Sequence, residues 1–486
     1  MSVPLTSLFI AGQSRPASDN GTYEVRNPYS QEVIGLAAAA TSQDCKDAID
    51  AAQIAYTSWE NTPLSTRRDI FIKAAELLSG DKYKQKFAAA LHQETSAVDF
   101  VIGYNILVGI EWLREYAGMA LQYKARTFPS VYPGGNVVEV RKAKGVVFAI
   151  APWNAPLILT LRAISIPIIC GNAVVLKSSE ASPRCQATIV ELLNEAGLPS
   201  GVLNFLSTSR SDAPGLVSEI IAHPFVRAVN FTGSDVVGRA IAAEAAKYLK
   251  PCVFELGGKA AVVVLEDADL ERAARAITSS ALAHSGQVCM STERVIVART
   301  VAPALKEALT VLFSKIRAGG PGSDLSAVFR EDSAVKITQM INDAKEKGAT
   351  LLVGDGTRQG AVVQPHLVAD VKPDMWIWNR ETFGPVTTLV EFDTVDEAIE
   401  LANSTDYSLT CALWTQNLNA TFDVGSRLRA SYVNINGPTI HMEGPAEGMG
   451  GLGGATGYGH FSIDSFTDVK SLIIHPSYTV PYPLVG

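Results

Sequence analysis

Short apolar runs separated by turn residues fill positions 8–37, where Asp19-Asn20-Gly21 and Asn27-Pro28 interrupt the pattern and predict small strands. A 3.6-residue period takes over after Thr41-Ser42-Gln43-Asp44, with Ala48, Ile49, Ala51, Ala52 and Ala55 on one face. It returns after Pro63-Leu64-Ser65-Thr66 over 70–78, and helical patterning continues from 87 to 121. Between 124 and 144 the texture changes to Thr127-Phe128-Pro129 and then alternating Val137, Val138 and Val140, an excursion into strands. From Gly145 onward, strands at 146–150, 173–177, 202–206 and 226–231 alternate with helices at 186–196 and 235–249. A second series places strands at 260–265, 294–297, 350–353 and 387–390. Such alternation predicts α/β architecture, with parallel sheets covered by helices in two domains. The nearly uncharged run 145–161 is broken by Pro152, Asn154 and Pro156 and ends at Arg162, so it reads as a buried strand followed by a loop. A glycine-rich run at 444–459 followed by 469–474 predicts a mobile loop and a terminal strand.

Composition narrows the function classes. A chain of 486 residues with 47% hydrophobic and 19% charged positions can bury large cores, and its length suggests two or three domains. A net charge of -8 argues against a nucleic acid or an anionic membrane as partner, since either needs a basic surface. Six scattered cysteines without C-x-x-C pairs suggest neither a zinc site nor a disulfide scaffold, and no metal is expected. They suit a reducing compartment, the cytoplasm. The first residues carry no secretory pattern and the last no lipidation or peroxisomal signal.

Several segments carry candidate chemistry. Phe231-Thr232-Gly233-Ser234 follows a strand and opens a helix, where backbone N–H groups can meet a phosphate; a plain helix cap is the alternative. It is not the G-x-G-x-x-G fingerprint. Lys177 and Glu180 lie at the carboxyl end of a strand, placed either to bond ribose hydroxyls or to be solvated. Cys289 follows Gly286 in a small-residue loop open to a substrate, but an unperturbed thiol is only slightly ionised at neutrality and needs a base or positive potential. His284, five residues upstream, is read as structural. Glu255 can be that base if burial raises its pKa; capping a helix or pairing with Lys259 are the alternatives. Glu381-Thr382-Phe383-Gly384-Pro385 alone reads as a turn.

Taken together, Pro152-Trp153-Asn154, Leu176-Lys177-Ser178-Ser179-Glu180, Phe231-Thr232-Gly233-Ser234, Glu255-Leu256-Gly257-Gly258-Lys259, Gly286-Gln287-Val288-Cys289 and Glu381-Thr382-Phe383-Gly384-Pro385 resemble, in order and spacing, the NAD(P)-dependent aldehyde dehydrogenase superfamily. The resemblance covers nearly the whole chain. It implies an aldehyde dehydrogenase-like fold, with two doubly wound α/β domains and a small β oligomerisation excursion. The implied divisions are a cofactor domain at 1–123 and 144–255, a catalytic domain at 256–445, oligomerisation strands at 124–143 and 469–486, and a loop at 446–468 returning to the cofactor domain. It further implies Cys289 as nucleophile, Asn154 as oxyanion donor and Glu255 as general base. Lys177 and Glu180 would hold the adenosine ribose, Gly233 and Ser234 the pyrophosphate, and Glu381 the nicotinamide ribose, with Phe383 and Trp153 packed near the cofactor. Glu180 resembles NAD-using members, with NADP possible through Lys177.

Trp153-Asn154-Ala155-Pro156, Leu161-Arg162-Ala163, Cys289-Met290-Ser291-Thr292-Glu293-Arg294 and the run from Asn434 to His441 resemble aromatic aldehyde dehydrogenases of the salicylaldehyde, vanillin and benzaldehyde type. Ala155, Ile158, Arg162, Pro438, Thr439 and Ile440 would then line the substrate tunnel. Arg162 is placed to meet a ring substituent or to form a structural ion pair at a helix surface. The alternatives are a broad-specificity or aliphatic enzyme, a CoA-acylating enzyme, which would lack Glu255, and an inactive homologue. Members commonly form homodimers or homotetramers. The run 447–460 departs from the family pattern by lacking its Phe, Lys and Arg, and 208–212 lacks its usual glycines.

Overall fold

The structure is a computed structural model that describes residues 3–441, 450–477 and 484. The parts of the expected loop and terminal strand at 442–449, 478–483 and 485–486 lie outside the described residues.

Five strands run parallel in the first sheet: Val146–Ile150, Ala173–Lys177, Leu203–Leu206, Val226–Thr232 and Cys252–Glu255. Numbered along the chain, their spatial order is 3-2-1-4-5. The order therefore reverses between Val146–Ile150 and Val226–Thr232, and a crevice outside the carboxyl ends of such strands is where open α/β sheets take their ligands. Leu8–Ile10 and Gln13–Arg15 extend the sheet in antiparallel fashion. Apolar clusters cover both faces, which is why the strands read as unbroken hydrophobic runs.

The helices arise from local signals. Thr41 caps Ser42–Trp59 in a capping box with Asp44, two reciprocal bonds that satisfy otherwise orphaned N–H groups. The loop expected after Ile150 is shorter than the sequence suggests, because Pro156–Ile169 is a helix. All its residues are buried, so it carries no polar face and no amphipathic period by which to be read. Pro156 occupies its first turn, where no N–H is needed, and Pro167 deprives the carbonyl of Ala163 of its helical partner. Asn230 Nδ2 donates to that carbonyl at 2.9 Å, fixing the helix against Val226–Thr232.

The second sheet contains Ala260–Val264, Thr292–Ala298, His366–Ala369, Val386–Phe392, Thr410–Trp414 and Tyr432–Ile435 in parallel, with Thr350–Val353 antiparallel at one edge. It too is covered on both faces. The first sheet ends at Glu255 and the second starts at Ala260.

Arg126–Pro129, Asn136–Ala143 and Thr467–Ile474 form a separate antiparallel sheet, whose last strand exposes Val469, Leu472, Ile473 and Ile474. The described part of the glycine-rich run is docked, contrary to the expectation of a mobile loop. Phe254 N donates to Tyr458 O at 2.8 Å and Leu256 N to Thr456 O at 2.9 Å, so the segment lies along the edge of Cys252–Glu255. No helix among the described residues is long and apolar enough to cross a membrane.

Candidate active site

The carboxyl ends of the first sheet meet loops that precede strands of the second. Trp153 and Asn154 follow Val146–Ile150, Lys177 ends its strand, Gly233 and Ser234 follow Val226–Thr232, and Glu255 ends Cys252–Glu255. From the other side come Cys289, ahead of Thr292–Ala298, and Glu381 and Phe383, ahead of Val386–Phe392.

Cys289 sits on a strained loop. His284 and Ser285 have φ of 50° and 58°, and Gly286 continues the left-handed path at 73°. Such conformations cost about 1–3 kcal/mol each for residues bearing a Cβ, so the surroundings must hold them. Ser285 Oγ donates to Ser326 O at 2.8 Å, and Gln287 receives Phe329 N at 2.6 Å while its Nε2 donates to His284 O at 3.0 Å. A Cβ on Gly286 would come within 1.9 Å of Gly384 O, and one on Gly258 within 1.9 Å of Cys289 O. Backbone therefore presses on the Cys289 loop from two directions. His284 is buried without a hydrogen-bond partner on either ring nitrogen, and burial pushes its pKa down to about 4, which leaves it neutral.

Cys289 is half-buried. Removal from water, and then the charge of Glu255, push the thiol up to about 12. At neutral pH the resting group is a thiol, and nucleophilic attack requires a proton acceptor.

Asn154 is held by one of its two amide protons, which Nδ2 donates to Gln287 O at 3.0 Å. The second N–H remains to donate to an oxyanion, and the first fixes the direction in which it points.

Glu255 is 1% exposed, and neither carboxylate oxygen has a hydrogen-bond partner. Burial raises its pKa, opposed first by Arg162, whose Nη1 lies 3.7 Å from Oε2. The alternative pairing with Lys259 does not occur: Lys259 forms a buried ion pair with Glu293. Arg162 lies in an ion pair too, but in the interior and not on a helix surface.

Lys177 is buried and its ammonium makes one hydrogen bond, to Ser178 O at 2.9 Å; burial lowers its pKa. Beside it Ser178 Oγ is buried without a partner, and Glu180 is half-buried at the crevice rim. Polar groups with hydrogen-bonding capacity to spare, at the carboxyl edge of a 3-2-1-4-5 sheet, fit the ribose of a dinucleotide. The helix-cap alternative holds for Ser234, whose Oγ accepts from Val237 N. Gly233 N donates to Glu255 O at 3.1 Å, so that amide is already bonded within the fold. Glu381 accepts Gly258 N at 2.8 Å, and burial followed by the charge of Glu293 pushes its pKa up to about 8. Phe383 has φ of 51° and meets Trp153 edge-on at 6.0 Å, while Trp153 stacks on Phe329 at 4.0 Å.

Of the expected tunnel residues, Ala155 is half-buried at the start of Pro156–Ile169 and Ile158 is buried one turn on. Thr439 is fully buried, its hydroxyl 2.9 Å from that of Thr292 and its carbonyl accepting Thr410 Oγ1 at 3.1 Å, so it pins the segment to the second sheet. Pro438 is exposed and Ile440 half-buried.

Glu293 is the principal functional residue that sequence reasoning passes over. Besides Lys259, it accepts Thr382 N at 3.0 Å, Thr382 Oγ1 at 2.7 Å and Phe383 N at 3.2 Å, and so positions the loop bearing Glu381. Its signal was a carboxylate beside Arg294 at the head of a strand that continues as the apolar run Val295-Ile296-Val297-Ala298. Glu293→Gln is expected to destabilise the protein by about 3–5 kcal/mol, because the Lys259 charge would be left buried without its partner. Chemical denaturation of the two forms measures this; an unchanged midpoint would exclude it.

Comparison with known proteins agrees with this geometry. Residues 15–472 match the Aldehyde dehydrogenase family. The chain is 41% identical to vanillin dehydrogenase of Pseudomonas sp. strain HR199 over 474 residues, 96% of this chain and 97% of the other. It is 34% identical to an NAD(+) benzaldehyde dehydrogenase of Pseudomonas putida over 455 residues, 92% of each. The crystal structure of a salicylaldehyde dehydrogenase from Pseudomonas putida G7, complexed with salicylaldehyde, superposes with a TM-score of 0.95 at 35% identity, covering 99% of this chain and 100% of that one. With a thiol, a buried carboxylate and an oriented amide in one crevice, this chain belongs to the aldehyde dehydrogenase family.

Proposed function

We propose that this aldehyde dehydrogenase oxidises aromatic aldehydes to their carboxylic acids, using NAD in preference to NADP. The observation that carries the chemistry is the amide of Asn154, fixed by Gln287 O with one N–H left to donate, in the same crevice as Cys289 and the hydrogen-bond-free carboxylate of Glu255. The Cys289 thiol passes its proton through water to solvent as its sulfur bonds to the carbonyl carbon. The resulting alkoxide is held by Asn154 Nδ2 and the Cys289 N–H, which act without a proton transfer. Lys177, Glu180 and Glu381 would hold a dinucleotide in the crevice, and that group would supply the hydride acceptor. Cys289 is then acylated as a thioester. Glu255 removes a proton from an attacking water, the carbon–sulfur bond breaks, and the acid leaves with the Cys289 sulfur restored.

Ala155 supports the aromatic reading because a methyl at this position beside Asn154 leaves width for a ring, with Ile158 offering apolar contact. The names of the relatives point the same way. Glu180 supports NAD, since a carboxylate at the adenosine ribose repels a 2′-phosphate. The unpaired cysteines suit the cytoplasm. The exposed apolar strand Thr467–Ile474 supports assembly into a dimer or tetramer.

Absorbance of the reduced dinucleotide, followed with benzaldehyde, salicylaldehyde and vanillin against short aliphatic aldehydes, tests the proposal. Higher kcat/KM for the aromatic set and for NAD is expected. A clear advantage for short aliphatic aldehydes would refute the aromatic assignment.

A further inference from the structure

Arg162 is a guanidinium in a helix whose every residue is buried. A charge in such a position is costly unless opposite charge and hydrogen bonds meet it. The structure meets it at the ends of two adjacent strands. Thr232 and Glu255 are register partners in the parallel pair, and Arg162 reaches both: Nη2 donates to Thr232 Oγ1 at 3.1 Å, and Nη1 lies 3.7 Å from Glu255 Oε2. The ring of Phe461, itself buried, covers the guanidinium at 4.8 Å. The hydrogen bond to Thr232 fixes the cation, whereas the contact to Glu255 is too long to be a hydrogen bond. Attraction is thereby applied to the carboxylate without occupying either of its oxygens.

We propose that Arg162 is a positioning residue that holds Glu255 as a free carboxylate at the strand end, ready to activate the deacylating water at neutral pH. The proposal rests on the reading of Glu255 as the base for thioester hydrolysis. Burial alone drives Glu255 toward its protonated form, and a protonated carboxyl accepts no proton from water. Other charged or titratable groups around the pair have lesser or contrary effects. His460, exposed on the glycine-rich segment, adds a weaker attraction to Glu255; Cys289 faces both members from the second domain; and Tyr116 faces Arg162 from helix Asp99–Met119.

The test compares Arg162→Met, Arg162→Lys and Thr232→Val with wild type. With benzaldehyde and with salicylaldehyde, kcat of Arg162→Met is expected to fall by roughly one to two orders of magnitude at neutral pH, part of the hundredfold or more that a general base supplies. It should recover as pH rises, equally for both aldehydes and with little change in KM. Arg162→Lys should restore most of the loss. Thr232→Val, which keeps the charge and removes one hydrogen bond to it, should shift the profile less but in the same direction; it and the lysine variant carry the test if Arg162→Met does not fold. A readout independent of turnover is the infrared stretch of a protonated carboxyl. It should appear at neutral pH in Arg162→Met and vanish in the double variant with Glu255→Gln. Absence of that band, or an unmoved pH profile with a KM increase confined to salicylaldehyde, would overturn the proposal and make Arg162 a substrate contact. If wild type oxidises neither aldehyde, the functional reading fails while the infrared result still decides the Arg162–Glu255 coupling.

Discussion

Cys289→Ala is expected to reduce aldehyde-dependent formation of reduced dinucleotide by at least about 10⁴-fold, the scale on which covalent enzymes lose turnover without their nucleophile. Two features of the site make the loss this large. The oriented amide of Asn154 and the backbone of residue 289 stabilise an alkoxide only when something has added to the carbonyl, and alanine adds nothing. Nor is another thiol placed to substitute: Cys45, Cys170, Cys185 and Cys411 are buried, and Cys252 lies at the start of a strand of the first sheet, at the opposite end from Glu255. Dinucleotide binding should survive, since Lys177 and Glu381 are held by groups other than the thiol. Turnover measured beside cofactor titration by protein fluorescence separates the two effects. Substantial residual activity would refute the nucleophile assignment.

Glu255→Gln is expected to slow steady-state turnover by roughly a hundredfold to a thousandfold, with the first turnover much less affected. Glutamine keeps the shape of the side chain and removes its basicity, so the thioester forms and then waits for water. The pH dependence has a defined sign. Burial raises the pKa of Glu255, and the base is active when deprotonated, so wild-type kcat should rise with pH through that pKa and level off above it. In the glutamine variant this limb should be absent. A rapid burst of reduced dinucleotide followed by a slow steady state distinguishes impaired deacylation from impaired binding, and an unchanged steady-state rate across pH would count against Glu255 as the base.

Much of the architecture was readable because local signals and tertiary structure agreed. Thr41 with Asp44 announced a helix start and supplies a capping box, and the strands around Val146, Val174 and Val262 are apolar on both faces because both faces are covered. The helix Pro156–Ile169 escaped for the same physical reason: burial on all sides erases the period that marks a surface helix. The order and spacing of the motifs pointed to the family, while the pairing of charges stayed hidden. Lys259 stands four residues from Glu255, yet its partner is Glu293 on another strand; Glu255 is matched instead by Arg162, 93 positions away in the chain. Pairing of this kind depends on how two sheets approach each other, which no sequence spacing encodes. The same holds for Gly233, whose amide is already bonded to Glu255 O, and for the glycine-rich segment, whose docking depends on the free edge of Cys252–Glu255.

The proposed catalysis runs through a covalent acyl group that forms on Cys289 and is released by water activated at Glu255. The most direct test is mass spectrometry of the Glu255→Gln protein after brief exposure to benzaldehyde and NAD. A benzoyl adduct is expected on the peptide containing Cys289, absent when NAD is omitted and absent in the Cys289→Ala, Glu255→Gln double variant. An adduct on a different residue, or acid production at the wild-type rate with no acyl group on Cys289, would contradict it.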